Sequence, residues 1–207
     1  VHLSKLQPVV REVHAETNLI SAERKDALDQ LAAFIDERRN NGGIAKLIFI
    51  CTHNSRRSHT AQLWAQTAAH HYGIDGIDTY SGGTEATAFN PRAVAALQRA
   101  GFRVKTVTPG DNPLVSIRYA TEADPMECFS KTYDQPPNPR KDFCAVMTCS
   151  EADQRCPMVF GATERIVIRY DDPKAFDGTL EEEARYDERC RQIAREMVWA
   201  LGRVRID

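Results

Sequence analysis

The chain has no run approaching the 18 or so apolar residues that a membrane-spanning helix needs, and its opening stretch, VHLSKLQPVVREVHAE, lacks the apolar centre of a secretory signal. A cytoplasmic location with no membrane partner is therefore expected. A basic stripe is also missing: 27 Lys and Arg face 29 Asp and Glu, the formal charge is −2 and the pI is near 6.3, so nucleic acid is not expected as a partner. There is no internal repeat, no low-complexity tract and no CxxC pair. No histidine stands at the spacing of a zinc site beside a cysteine, which argues against a structural metal.

What is present is cysteine in an unusual number for such a compartment: Cys51, Cys128, Cys144, Cys149, Cys156 and Cys190. In a reducing environment these are expected to be catalytic, redox-active or buried rather than a disulfide framework. With 207 residues at 42% hydrophobic, the chain can bury one sizeable core and carry an appendage. Residues 1–43 read as an N-terminal helical arm: Ser21 is placed to cap a helix that carries Leu28, Leu31 and Ile35 on one face and stops before Gly42 and Gly43. Residues 44–207 read as the catalytic domain. Its strand candidates are LIFIC, IDTYS, FCAVMTC and RIVIRY, and LIFIC is the continuous apolar run of a strand buried on both faces. Helical patterns at 58–72 and 91–100 lie between them, and a last helix follows a Thr179/Glu182 capping box with apolar positions at 186, 190, 193, 197 and 201. Strands alternating with helices predict an α/β fold, a parallel four-stranded sheet flanked by helices. The stretch at about 110–142 breaks the alternation with two short strand-like runs between Pro-rich turns, and reads as an inserted hairpin or loop.

The chemistry concentrates in CTHNSRRS, where Cys51 ends the first strand, Arg57 follows six residues on and Ser58 stands where a helix begins. A loop wrapping from strand to helix turns backbone N–H groups inward, and the helix N-terminus adds partial positive charge where a tetrahedral anion would sit. The same field favours a thiolate, so Cys51 is expected to be a nucleophile with Arg57 clamping the anion. Spacing alone is not specific, because Cys149 and Arg155 repeat it in CSEADQRC. There, however, Cys-Pro follows in place of a hydroxyl residue and a helix.

FICTHNSRRS resembles the phosphate-binding loop shared by low-molecular-weight protein tyrosine phosphatases and thioredoxin-coupled arsenate reductases. TYSGGTEATAFNPRAVAALQRAGF resembles the second strand and following helix of that family, and RYDDPKAFDGT its Asp-Pro acid loop. The likeness runs from about Lys46 to the C-terminus, leaving out the insert. It implies the low-molecular-weight phosphatase-like fold, an anion held by Thr52, His53, Asn54, Ser55, Arg56, Arg57 and Ser58, and Asp172 as the general acid that protonates the leaving oxygen. Without that context, Asp172-Pro173 would read as a turn capping the next element.

The reductases of this family carry two further cysteines separated by six residues, and Cys149 and Cys156 stand in that arrangement. The resemblance then implies a relay in which Cys51 attacks arsenate, Cys149 attacks Cys51 to release arsenite, and Cys156 takes the disulfide onto itself and Cys149. Thioredoxin, as external reductant, resets the pair, and no tightly bound cofactor is implied. If residues 149–156 are helical, closing that disulfide requires the segment to unwind.

Three positions depart from the family. Arg56 replaces a second loop cysteine, adding charge at the loop or standing as a solvated surface arginine. His53 replaces a glycine, contacting the anion or covering the loop. Gln62 replaces the glutamate of a cation site, which argues against a potassium requirement. Asn54 and Ser58 match, bracing the loop, with Ser58 placed to hydrogen-bond Cys51. The alternative activity is a phosphatase acting on phosphotyrosine or small phosphoesters, although DDPKAF lacks the aromatic pair such enzymes place after Asp-Pro. A non-enzymatic anion- or protein-binding module is the third reading, and an intact Cys51, Arg57 and Asp172 speak against it. Cys128, Cys144 and Cys190 are assigned no role, and Tyr119, Phe129 and Tyr133 of the insert are expected to pack.

Overall fold

The computed structural model describes residues 3–156 and 158–205. In chain order its elements are α1 (Leu6–Ala15), α2 (Ala22–Asn40), β1 (Ala45–Cys51), α3 (Arg57–Tyr72), β2 (Ile77–Gly83), α4 (Pro91–Ala100), β3 (Arg103–Thr108), β4 (Leu114–Arg118), β5 (Met126–Cys128), β6 (Phe143–Met147), α5 (Ser150–Arg155), β7 (Ala162–Val167) and α6 (Glu182–Leu201). Short 3-10 turns lie at Thr17–Leu19 and Pro173–Phe176.

Six of the seven β1 residues are buried, because β1 is a central strand with packing on both faces. β2 pairs with one side of it and β6 with the other, β7 adds outside β6, and all three pairings are parallel. This is the four-stranded α/β sheet expected from the strand pattern. Leu47 and Phe49 of β1 face a large core built with α1, α2, α3 and α6, whereas Ile48 and Ile50 face a smaller one with Phe143, Met147 and Ala152. Cys51 and Cys149 belong to that second cluster. The strand's alternation thus sorts α1, α2, α3 and α6 to one face and α5 to the other.

Residues before 44 are helical, as the pattern predicts. Ser21 caps α2 by accepting from Arg24 N, and Leu28, Leu31 and Ile35 are buried. They share the main core with Leu6, Val10 and Val13 of α1 and with Ile193, Met197 and Leu201 of α6. These helices cover the sheet rather than standing apart from it.

Three boundaries differ from the sequence reading. β7 starts at Ala162, three residues before the apolar run, since the turn at Gly161 (φ 85°) feeds directly into pairing with Phe143. The backbone bonds continue past it, from Ile168 N to Met147 O and from Tyr170 N to Thr148 O. α6 starts at Glu182 rather than just after Thr179: Thr179 Oγ1 accepts from Glu181 N, and the Glu182 carboxylate turns back to Gly178 N. Its predicted apolar face is buried throughout. The insert is larger than a hairpin, because β3, β4 and β5 form a separate antiparallel sheet beginning at Arg103. β3 is mostly exposed and polar, so no apolar pattern marks it.

Beyond β5 the chain returns to the main sheet, where Gly83 pairs with Thr132. Gly83 N donates to Lys131 O, and Tyr133 N to Gly83 O. A Cβ on Gly83 would lie 2.2 Å from Glu85 O and 2.7 Å from both Asn54 N and Thr52 O, all backbone atoms with no room to yield. Gly83→Ala is therefore expected to lower the free energy of unfolding by roughly 3 kcal/mol in a urea titration.

Candidate active site

The end of β1 delivers the chain into a turn that must reach α3 within six residues, and polar atoms brace it on all sides. Cys51 O accepts from Thr84 N, Thr52 O from Glu85 N, Ser55 O from Asn90 N, and Arg56 O from Thr60 N and Thr60 Oγ1. His53 O accepts from Ser130 Oγ at 2.8 Å and from Thr87 Oγ1 at 3.3 Å. With these carbonyls held outward, no protein acceptor among the described residues takes the amide N–H groups of residues 52–56. Those amides and the α3 N-terminus line an electropositive concavity.

Asn54 makes the turn possible. It adopts φ 45°, a left-handed conformation that asparagine tolerates better than most residues, and its side chain donates to Ser58 Oγ at 2.9 Å while accepting from Lys131 N at 3.0 Å. Ser58 Oγ lies 3.1 Å from Cys51 Sγ. Asn54 and Ser58 thus form a buried chain leading from the insert to the sulfur.

Cys51, His53, Ser55, Arg56, Arg57 and Asp172 line a small cup. Arg57 donates from Nη2 to Asp172 Oδ2 at 2.7 Å and from Nη1 to Tyr170 O at 3.0 Å, which aims its guanidinium across the mouth of the loop. Asp172 also caps the following 3-10 turn by accepting from Lys174 N, so it is a turn residue and a cup residue together. Arg56 is no solvated surface arginine: its side chain is 12% exposed. Its Nε donates to Tyr186 Oη at 2.9 Å and lies 3.8 Å from Asp172 Oδ1, and Tyr186 donates onward to Asp177 at 2.8 Å. Burial, then the bond to Asp177, pushes the Tyr186 hydroxyl up to about 12, so it stays a neutral donor. His53 lines the cup, 40% exposed and 3.6 Å from Glu85.

Cys149 lies on the far side of the loop. Its sulfur is 3.4 Å from Thr52 Oγ1, and it caps α5 by accepting from Ala152 N at 3.3 Å. Thr52 donates also to Glu151 at 3.0 Å, tying the loop to α5. Cys156 follows α5 and is partly exposed, and all six cysteines are free thiols.

The family model described as low molecular weight phosphotyrosine protein phosphatase matches residues 46–113. Over 145 residues, 70% of this chain and 86% of the relative, the sequence is 30% identical to an arsenate reductase of Bacillus licheniformis. The chain belongs to the low-molecular-weight phosphatase and arsenate reductase family. It is thereby an enzyme. An arsenate reductase of Halalkalibacterium halodurans is 32% identical over 136 residues, 66% of this chain and 79% of that protein. The low-molecular-weight phosphotyrosine phosphatase of Vibrio cholerae O395 shares the fold at a TM-score of 0.51 and 14% identity, covering 76% of this chain and 94% of its own.

Against that family background, the remaining cysteines are core residues. Burial pushes the Cys128 and Cys190 thiols up to about 12 and raises Cys144 as well, and Cys190 accepts from Trp64 Nε1. Thiols held neutral in this way do not act as nucleophiles. Tyr119 packs in the main core and Tyr133 against the smaller one. Gln62 donates to Thr79 O. Among the described residues, no group of three His, Cys, Asp or Glu is placed to hold a metal, and no helix is long and apolar enough to cross a membrane.

The sequence reading missed Ser130, Lys131 and Tyr186. The first two come from a loop whose length and composition announce no pairing, and Tyr186 registers in the periodicity only as an apolar position. It also missed His59, which is fully buried, meets Ser81 Oγ at 3.0 Å and stacks on Phe89. Burial, then the nearby Lys131 charge, holds His59 well below the ordinary value of 6.5. The unfolded chain therefore binds a proton that the folded chain refuses, and stability is full above about pH 6.5 and falls as the pH drops below it. A chain carrying His59→Gln is expected to show a shallower acid limb, by up to about 1.4 kcal/mol per pH unit, in urea titrations between about pH 5 and 6.5. His70 and His71, also lowered by burial, keep part of the slope.

Proposed function

We propose that the chain is a cytoplasmic arsenate reductase that uses Cys51, Cys149 and Cys156 in turn and takes its electrons from thioredoxin. One observation carries the reading: a second free thiol, Cys149, sits against Thr52 of the oxyanion loop, with Cys156 at the other end of the same short helix. A phosphatase cycle has no use for that pair.

In the proposed cycle, arsenate enters the cup and competes with Asp172 for Arg57, while Arg56 adds a second positive charge held by Tyr186. The Cys51 thiolate attacks arsenic, and a hydroxyl group of the arsenate leaves as water with a proton from Asp172. Cys149 then attacks Cys51 Sγ. The sulfur–arsenic bond breaks, its electron pair stays on arsenic, and arsenite departs from a Cys51–Cys149 disulfide. Cys156 attacks Cys149, freeing the Cys51 thiolate, and the thioredoxin dithiol reduces the Cys149–Cys156 disulfide. The cup's polar lining supports a small inorganic oxyanion, since no Phe, Tyr or Trp among the described residues lines it to hold a phenyl ring.

The test follows arsenate-dependent oxidation of NADPH through thioredoxin reductase and thioredoxin, with hydrolysis of p-nitrophenyl phosphate in parallel. Cys149→Ser and Cys156→Ser are expected to abolish arsenate turnover and to keep whatever phosphoester hydrolysis the wild type has. Survival of hydrolysis with no arsenate turnover in the wild type transfers the assignment to the phosphatase activity. Arg57→Lys is expected to lower kcat/KM by about 10²–10³, because a point charge replaces a fork that bridges two oxygens. Asp172→Asn is expected to lose about 10²-fold in kcat.

A further inference from the structure

α5 has six residues, too few for a helix to persist on its own, so its stability comes from what holds it. Cys149 caps one end. At the other, the Arg165 guanidinium of β7 donates to Asp153 O at 2.9 Å and to Cys156 O at 3.3 Å, and also binds the Asp153 carboxylate. Arg169 binds the second oxygen of that carboxylate, with Nε at 2.9 Å. The Asp153 side chain is only 9% exposed. Burial raises its pKa, and the bonds from Arg169 and Arg165 outweigh this to bring it below the ordinary carboxylate value. By contrast, the pairs of Arg155 with Glu151 and Glu85 are half-exposed on every side chain and contribute little.

While α5 stays helical, the seven steps from Cys149 to Cys156 span about 10 Å, whereas a disulfide needs Cα atoms about 4.4–6.8 Å apart. Closing the pair must pull Cys156 O and Asp153 away from Arg165. Resting on the relay proposed above, we propose that Asp153 and Arg165, supported by Arg169, are positioning residues: their clamp keeps the two thiols apart and sets the cost of closing the Cys149–Cys156 disulfide. The clamp touches neither the cup nor the oxyanion loop, so it acts on the last exchange within the chain and leaves the anion chemistry alone. In that exchange Cys156 thiolate forms a bond to Cys149 Sγ and Cys51 thiolate leaves, with no net electron transfer, which makes segment geometry the variable that the clamp controls.

The experiment equilibrates the full-length Cys51→Ser chain with glutathione and glutathione disulfide. Two protein thiols and one glutathione disulfide give the protein disulfide and two glutathiones, and the Cys149–Cys156 bridge is quantified by thiol trapping and peptide mass spectrometry. Asp153→Asn is expected to shift this equilibrium toward the disulfide by roughly tenfold, about 30 mV. Amide exchange over residues 152–156 of the reduced protein should quicken by about tenfold, and p-nitrophenyl phosphate hydrolysis in the Cys51 chain should stay unchanged. If Asp153→Asn fails to fold, Arg169→Gln, which removes one of the two arginines, is expected to give about a threefold shift in the same direction. An unchanged ratio, or a shift toward the dithiol, overturns the clamp, and a merely structural role would lower urea stability without moving the ratio. Absence of the bridge at every glutathione ratio overturns the relay instead, and amide exchange then decides the clamp alone: unchanged exchange refutes it.

Discussion

A loop can offer its amide N–H groups to an anion only when its carbonyl groups are satisfied elsewhere, and the cup of this chain depends on that accounting. Besides Thr60 of α3, the donors come from three separate parts of the chain. Thr84 and Glu85 follow β2, Asn90 precedes α4, and Ser130 comes from the segment after β5. Each pulls one or more carbonyls outward, and Asn54, in its left-handed conformation, links the loop to the insert through Lys131 N. The insert is thus part of the frame that shapes the anion site, and the glycines at the end of β2 are small because that frame passes directly over them.

Charge in the cup is arranged as a competition. Two guanidiniums, Arg56 and Arg57, face one carboxylate, Asp172, and an entering tetrahedral anion brings a better partner for the arginine fork than a single carboxylate oxygen. Under the proposed function, an anion that takes Arg57 from Asp172 frees that carboxyl for proton transfer, so binding and general acid catalysis are coupled through one bond. Arg56 is held differently. Tyr186 and Asp177 anchor it from behind, and the cup keeps its second positive charge in a fixed place without a second loop cysteine.

The two faces of β1 divide the labour. Leu47 and Phe49 build the large core with the helices, whose packing supplies the stability, and Ile48 and Ile50 lead to the smaller cluster, where Cys51 at the strand's end meets Cys149 and Ala152. A six-residue helix resting on that smaller cluster can open without disturbing the main core, as the proposed relay requires.

How much of this was legible in the chain can be judged residue by residue. Local pattern determined the strand that ends at Cys51, the capped helix after Ser21, the buried face of the last helix and the spacing of Cys51, Arg57, Cys149 and Cys156, because period and capping act over a few residues. The start of β7 and the whole of β3 were not legible, since both are defined by partners distant in sequence and carry no apolar run of their own. The same holds for the site. That Arg56 packs on Tyr186, that Thr52 reaches Cys149, and that Ser130 and Lys131 brace the loop are facts about side chains separated by 77 to 130 positions, brought together only by sheet order and helix packing. The sequence by itself determined which chemical groups this protein owns and in what local frame; the tertiary structure decided which of them touch, because hydrogen bonds and desolvation depend on distance in space and not along the chain.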